Sequence, residues 1–313
     1  MPKVSVIMSV FNGEKFIQEA IASILRQTFS DFEFLIIDDG STDATVEMIE
    51  AFTDQRLKLL KRNHRGISAS VNEGISAATG ELIARMDADD ISLPERLERE
   101  VEFLENNPDF VMVGSAGMLI DEAGLPLGMV DKPADLGTIQ DNLNNGILPF
   151  FNGSSVFRKA AAEKCGLYDE RLNGNEDWYL ATKLVKLGKL TNLALVLYQY
   201  RFSRLAITNL SPSLLKKRKA IMQKIVKTGT ISVEDARIMR ELKQKLSPRE
   251  LTAQYYFNAG KALISYDWQP KRARPYLLNS LYSKPFDLRC WFNLFLSFMP
   301  AVWVKAWRNY RTA

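Results

Sequence analysis

The stretch GELIARMDADD, residues 80–90, decides how the chain folds and where its chemistry lies. LIARM reads as a strand leaving a turn at Gly80, and the strand runs into three carboxylates, Asp87, Asp89 and Asp90. Like charges so close repel one another, so this end is either a solvated turn or the seat of something positive. Toward the N-terminus the same pattern repeats. VSVIMSV (4–10) is a β-branched apolar run, followed by the polar turn FNGE and a helical pattern with Phe16, Ile17, Ala20, Ile21, Ile24 and Leu25 on one face. FEFLIID (32–38) is a second strand, and in the DDGSTDAT that follows, Ser41 or Thr42 can cap a helix through Val46, Ile49 and Phe52. LKLLK (57–61) reads as a strand, 67–79 as a helix and ELIARMD (81–87) as a fourth strand. Leu93-Pro94-Glu95 then opens a helix to about Asn107, with proline early in it as helix starts prefer.

Strands alternating with helices point to a mostly parallel sheet flanked by helices, an α/β fold. In such sheets ligands bind beyond the carboxyl ends of the strands. Phe11-Asn12, Asp38-Asp39 and Asp87–Asp90 each follow such an end. One acidic end is an ordinary turn, but several on one rim suggest a site. Crowded carboxylates need a cation. Mg²⁺ or Mn²⁺ suits oxygen ligands and commonly bridges carboxylates to phosphates.

The composition fits this picture. The chain has 313 residues, 46% hydrophobic and 25% charged, which predicts a soluble protein of two domains. A net charge of +4 is too mild to argue for nucleic acid as a partner. The basic excess is uneven, with KKRK at 216–219, then Lys271, Arg272 and Arg274, and Lys305, Arg308 and Arg311 at the end. Cys165 and Cys290 lie far apart and Lys3 precedes a strand rather than a leader-like apolar run, so a cytoplasmic location is expected. His64, the single histidine, argues against a histidine metal site or a histidine-dependent triad.

SVIMSVFNGEKFI, LIIDDGSTDAT, NEGISAATGELIARMDADDISLPERLE and NEDWYLATKLVKLGKL, in this order over roughly residues 3–202, resemble the family-2 glycosyltransferases of the GT-A fold. The resemblance implies an inverting, metal-dependent transferase that uses a nucleotide-diphosphate sugar. By that resemblance, Ser9, Phe11 and Asn12 would line the nucleobase, and Asp39 would hold base or ribose. Asp87 would approach ribose and sugar, and Asp89 would hold the metal on the diphosphate. Gly66 and Asn72 would pass near the nucleotide, and Arg85 would meet phosphate or balance the acids. From the residues alone, Phe11 reads equally well as a core aromatic, Asp38 as a turn former, Asn72 as structural, and Asp90 as a cap for the next helix. His64 reads as a surface loop residue.

Glu176 and Asp177 open an amphipathic helix with Trp178, Leu180, Ala181, Leu184 and Leu187. Acids there stabilise a helix start. The resemblance makes Asp177 the general base that takes the proton from an acceptor hydroxyl, with Glu176 beside it. Trp178 is either an acceptor platform or, the better reading, a core residue. The chain departs from the family pattern twice. Asn152-Gly153 stands where relatives often have His-Pro, and Tyr200-Arg201-Phe202-Ser203 lacks a histidine many carry there. Both departures bear on acceptor contacts more than on the donor.

Residues 1–205 therefore form the expected catalytic domain, and 206–313 a C-terminal all-helical appendage. Helices are expected over 211–229, from Ser232 as N-cap, and over 247–266 and 269–285. The last two loosely resemble a single tetratricopeptide unit, with Ala259-Gly260, Ala273 and Pro285. The apolar run Trp291–Val304 is shorter than the roughly 20 residues a spanning helix needs. Residues 286–311 either dock on the appendage or lie at a membrane interface. The latter would suit a lipid-linked glycan acceptor and a peripheral place on the inner face of the membrane. Two other readings are a nucleotidyltransferase and a catalytically silent scaffold. The first wants a Gly-rich basic loop after strand one, which SVFNGEKF lacks, and the second predicts no nucleotide-sugar affinity.

Overall fold

The structure, a computed structural model, describes residues 1–172, 174–204, 212–242, 247–301 and 304. Four parallel strands form its centre: β1 (Val4–Val10), β2 (Phe32–Asp38), β3 (Leu57–Lys61) and β4 (Leu82–Asp87). Between them run α1 (Ile17–Leu25), α2 (Thr45–Glu50) and α3 (Ile67–Ala77). These strands carry Val, Ile, Leu and Met almost without break because helices cover both faces. Val4, Val6, Ile7 and Met8 of β1 and Ile36 and Ile37 of β2 are fully buried.

After β4 the short β5 (Ile91–Ser92) leads into α4 (Arg96–Asn106). Then come β6 (Phe110–Ile120), β7 (Pro126–Val130), α5 (Leu136–Asn144), β8 (Val156–Arg158), α6 (Lys159–Lys164), α7 (Glu176–Leu184) and β9 (Lys189–Arg201). The sheet order is β3-β2-β1-β4-β8-β6-β9-β5, with β7 on β6. It is parallel from β3 to β4, while β8 runs antiparallel to β4 and β6, and β5 to β9. The expected α/β sheet is thus parallel in the half that carries the strand–helix alternation. Strands β6, β7 and β9 have no counterpart in the sequence reading: Gly114 and Gly117 interrupt β6, Gly128 interrupts β7, and the polar pair Thr191-Asn192 interrupts β9.

The helices α8 (Pro212–Thr228), α9 (Val233–Glu241), α10 (Pro248–Ser265), α11 (Pro270–Ser283) and α12 (Leu288–Leu296) follow. Ser232 caps α9 as expected, its hydroxyl accepting the Asp235 N–H at 3.0 Å. Contacts divide the chain into two compact units, and not by one cut at 205/206. The first holds residues 1–117, 131–200, α8 and α9; the second holds 118–130, 201–204 and α10–α12. The helices α8 and α9 join the first because Met222, Ile225, Ile231 and Met239 pack into one core with Leu143, Trp178 and Leu184. In the second, α10 and α11 approach closely at Gly260, where an added Cβ would lie 2.8 Å from Leu277. There the Asp121 carboxylate closes the turn after β6 by accepting the Ala123 and Leu125 N–H groups, and also accepts the Tyr276 hydroxyl at 2.5 Å.

One buried carboxylate stitches the parallel half together. Glu33 of β2 accepts from Ser5 Oγ at 2.7 Å, Thr79 N at 2.7 Å, Thr79 Oγ1 at 2.6 Å and Lys58 Nζ at 2.9 Å. Burial pushes its pKa up, but these bonds outweigh burial and hold it at about 2. A depressed folded pKa stabilises above the unfolded value and is lost as pH falls through it. We predict that Glu33→Gln costs on the order of 2 kcal/mol near neutrality, with the difference shrinking on acidification below about pH 4.5, in urea unfolding curves. A pH-independent difference would contradict this role.

Candidate active site

The register of the parallel strands assembles the rim. On one side of β1, Val10 lies opposite Asp38 of β2; on the other, Ser9 lies opposite Asp87 of β4. The carboxyl ends of three strands therefore meet, and the turns after them form two corners.

The first corner joins the ends of β1 and β2. Asp38 accepts the Ser41 N–H at 3.2 Å and so forms its turn. Asn12, at φ 52°, accepts the Thr42 N–H at 2.8 Å and donates its own N–H to Ser41 Oγ at 2.9 Å. Asp39 is buried, and its two oxygens accept the N–H groups of Arg65 at 2.8 Å and Gly66 at 2.9 Å. Gly66 sits at φ 95°, a backbone shape that side chains resist, as it turns the chain into α3. His64 is the exposed loop residue the sequence suggests, and its Nδ1 lies 2.9 Å from Asp39 Oδ2 with its ring 4.3 Å from that of Phe11. Phe11 is 46% exposed, so it is no core aromatic. Exposed Phe11 and His64 form an aromatic wall beside Asp39.

The second corner is built around Arg85. Its side chain is buried on β4, donates to Ile7 O at 2.8 Å, and lies 3.5 Å from Asp87 Oδ1. Burial opposes its charge, but Tyr168, Asp87, Asp177 and Glu176 raise its pKa overall. The two acids arrive on the first turn of α7, where free backbone N–H groups and the helix dipole favour negative charge. Trp178 anchors that turn from inside the core, donating its indole N–H to Leu143 O at 2.9 Å. Glu176 is buried and accepts the Gly174 N–H. Asp177 Oδ1 has no hydrogen-bond partner among the described residues. It lines a cavity of about 10 Å³ with Asn152, Ser155 and Tyr168, room for about one water molecule.

The electrostatics of this corner are those of a crowded acid cluster. Burial raises the Asp177 carboxyl well above the usual range, and Glu176 and Asp87 add to the rise while Arg85 and Tyr168 oppose it. Glu176 is raised by burial against its backbone bonds and Arg85. Asp87 is raised by burial against Arg85, Arg96 and the Gly153 N–H. Asp89 follows in the turn, half-buried.

The support of this corner, including Tyr168, Arg96 and Tyr198, escaped the sequence reading. Asn72 takes the structural role that reading left open: its carboxamide grips the Tyr168 backbone, donating to its O at 2.9 Å and accepting from its N at 3.0 Å. It thereby places Tyr168 beside Asp177. Arg96, fully buried, donates to Arg85 O and Gly153 O, each at 2.8 Å. Asp90 does not cap α4, whose N-cap is Glu95; it is buried and accepts the Tyr198 hydroxyl at 2.7 Å. A Cβ at Gly153 would fall 1.8 Å from Tyr198 Oη. The one signal for this support was the Asn152-Gly153 pair itself, where the family pattern departs.

Among the described residues, no group of three or more His, Cys, Asp or Glu is gathered to hold a metal ion. Asp87 and Asp89 offer hard oxygen donors two residues apart. Such a donor set fits Mg²⁺ or Mn²⁺, which often take one or two protein carboxylates and complete their shell with water and substrate phosphate.

The family model of glycosyl transferase family 2 matches residues 5–166, and the chain belongs to this family. An uncharacterized glycosyltransferase of Haemophilus influenzae is 32% identical over 213 residues, 64% of this chain and 65% of that protein. The O-antigen biosynthesis glycosyltransferase WbnJ of Escherichia coli is 36% identical over 152 residues, 48% of this chain and 57% of its own length. The chain thus spans less than two thirds of these relatives. The mannosyltransferase PcManGT of Pyrobaculum calidifontis, solved with GDP-Man and Mn²⁺, superposes with a TM-score of 0.55 at 18% identity, covering 95% of this chain and 84% of that one. That likeness establishes the GT-A fold.

Two predictions follow from the geometry. Arg85→Met removes the cation that holds three carboxylate pKa values down, so they rise further. Groups with raised folded pKa values cost stability as pH rises, so the variant should lose more melting temperature at about pH 8 than at about pH 5. An equal loss at both would mean Arg85 matters only for packing. Gly153→Ala should destabilise by about 1–3 kcal/mol through overpacking against Tyr198. A neutral effect on the melting temperature would contradict that contact.

Proposed function

We propose that the chain transfers a sugar from a nucleoside-diphosphate sugar to an acceptor hydroxyl, with inversion, in the assembly of a cell-surface glycan. The observation that carries this reading is the meeting of Asp87, Glu176 and Asp177 around Arg85, with Asp177 raised and one of its oxygens unpartnered among the described residues. A base works best when its pKa lies near the working pH, and burial moves Asp177 in that direction. In this reading Asp177 takes the acceptor proton as the hydroxyl attacks the anomeric carbon. Glu176 keeps the Asp177 pKa high and stands beside the acceptor or donor. A single displacement needs no carboxylate on the leaving side, unlike a glycosidase with its pair.

The donor is read onto the rim. Ser9, Phe11, Asn12, Asp39 and Gly66 take the nucleoside, with Phe11 against the base, and Asn72 acts through Tyr168. Arg85 and Asp87 stand toward ribose and sugar, and Asp89 would hold Mn²⁺ or Mg²⁺. When bound, such a cation neutralises charge on the departing diphosphate. The GDP-Man and Mn²⁺ in PcManGT support this donor class, and the O-antigen biosynthesis named for WbnJ supports a glycan acceptor.

Calorimetry and turnover assays test the assignments together. Asp177→Asn should leave donor affinity within about threefold and lower kcat by about 10²–10⁴. Asp89→Asn should abolish the metal dependence of donor binding. The acidic limb of kcat/KM should lie above the ordinary carboxylate range, because Asp177 must lose its proton to act. Full turnover in Asp177→Asn removes it as the base.

A further inference from the structure

The second unit presents an apolar surface that nothing in the catalytic reading uses. Helix α12 is apolar on both sides. Cys290 and Leu294 face inward and are buried, while Leu288, Trp291, Phe292 and Phe295, at helical spacing, face outward. Leu288 is 80% exposed and Phe295 59%. The surface continues through Phe286, 91% exposed in the turn before α12, and Tyr282 of α11, 88% exposed. Phe298 extends it after the helix, with the Arg274 guanidinium 4.0 Å above its ring. Soluble surfaces rarely leave so many large apolar groups together without a partner.

Charge identifies the partner. Residues 268–313 contain eight Lys and Arg and a single acid, Asp287. That leaves 33 basic and 36 acidic residues for 1–267, so the net +4 arises wholly from this last stretch. In α11 and at its C-terminal end, Lys271, Arg272 and Lys284 are exposed. Asp287 is buried and bound to Arg289 at 2.6 Å, so the one acid is already neutralised. Trp291 donates its indole N–H to Pro285 O at 2.7 Å, so its ring can leave water without stranding a donor. Exposed aromatics accompanied by cations match an anionic lipid surface, where apolar rings enter the headgroup boundary and Lys and Arg meet phosphate. An acidic protein would satisfy the charge but has no need of so wide an aromatic face. No described helix is long and apolar enough to cross a membrane. Lys305, Trp307, Arg308, Tyr310 and Arg311, counted in the expected interfacial segment, lie outside the described residues.

We propose that the α11–α12 face, centred on Tyr282, Phe286, Leu288 and Phe295, docks the protein on anionic lipid. The proposal stands apart from the transfer chemistry and survives if the assignment of Asp177 fails. Co-sedimentation of the full chain tests it, with vesicles of equal parts phosphatidylglycerol and phosphatidylcholine against phosphatidylcholine alone. The chain should bind the anionic vesicles at least about tenfold more strongly, and salt should weaken the binding. Phe286→Ser combined with Phe295→Ser should lower vesicle binding about tenfold with an unchanged melting temperature, because both rings are already exposed. Lys284→Ala with Lys271→Ala should reduce binding to the anionic vesicles alone. Absence of vesicle binding overturns the proposal. So does a dimer by light scattering that Phe286→Ser and Phe295→Ser convert to monomer, since the face would then join two copies of the chain.

Discussion

A buried guanidinium governs the acidic rim. Arg85 lies inside β4, bound to the Ile7 carbonyl, and faces carboxylates from two distant parts of the sequence. Asp87 comes from its own strand, and Glu176 and Asp177 come from the first turn of α7. Three crowded carboxylates would repel one another strongly without that charge, and an arginine there would be stranded without them. The core places the two together. Trp178 and Leu184 fix α7 from within, and the pairing of β1 with β4 fixes Arg85.

Arg96 works behind this cluster. It binds the carbonyls of Arg85 and Gly153 and so joins α4, β4 and the turn before β8. Its carboxylate neighbour, Glu100, is fully buried, and burial against the pull of Arg96 raises its pKa to about 8. A rigid buried frame of this kind lets the rim keep its acids in a costly arrangement, and function is drawn from that cost. Asp177, which burial raises well above the usual carboxylate range, has an oxygen without a hydrogen-bond partner among the described residues, beside a water-sized cavity.

Much of this was legible in the residues. The strands over 4–10, 32–38 and 57–61 match the structure residue for residue, and the fourth differs by one. Parallel strands covered on both faces must be apolar throughout, and turns must interrupt them, so both signals are local. The convergence of strand ends followed from the topology. The antiparallel half was not legible, because glycines break Phe110–Ile120, Thr191-Asn192 break Lys189–Arg201, and the strands' partners are far away in sequence. The same holds for the support of the site. That Asn72 grips Tyr168, that Asp90 meets Tyr198, and that Gly153 is pressed between Tyr198 and β4 are contacts over long separations. They leave no periodicity to read. Likewise α8 and α9 have the apolar faces of any docked helix, and only the packing of Met222 and Ile225 assigns them to the first unit.

The most direct measurement is a crystal structure grown with a nucleoside diphosphate and Mn²⁺, with anomalous scattering locating the ion. The ion should sit on Asp89 and the diphosphate, with the base against Phe11 and the Asp177 carboxylate free of the metal. An ion bound to Asp177, or a nucleotide seated away from the ends of β1, β2 and β4, would contradict this placement.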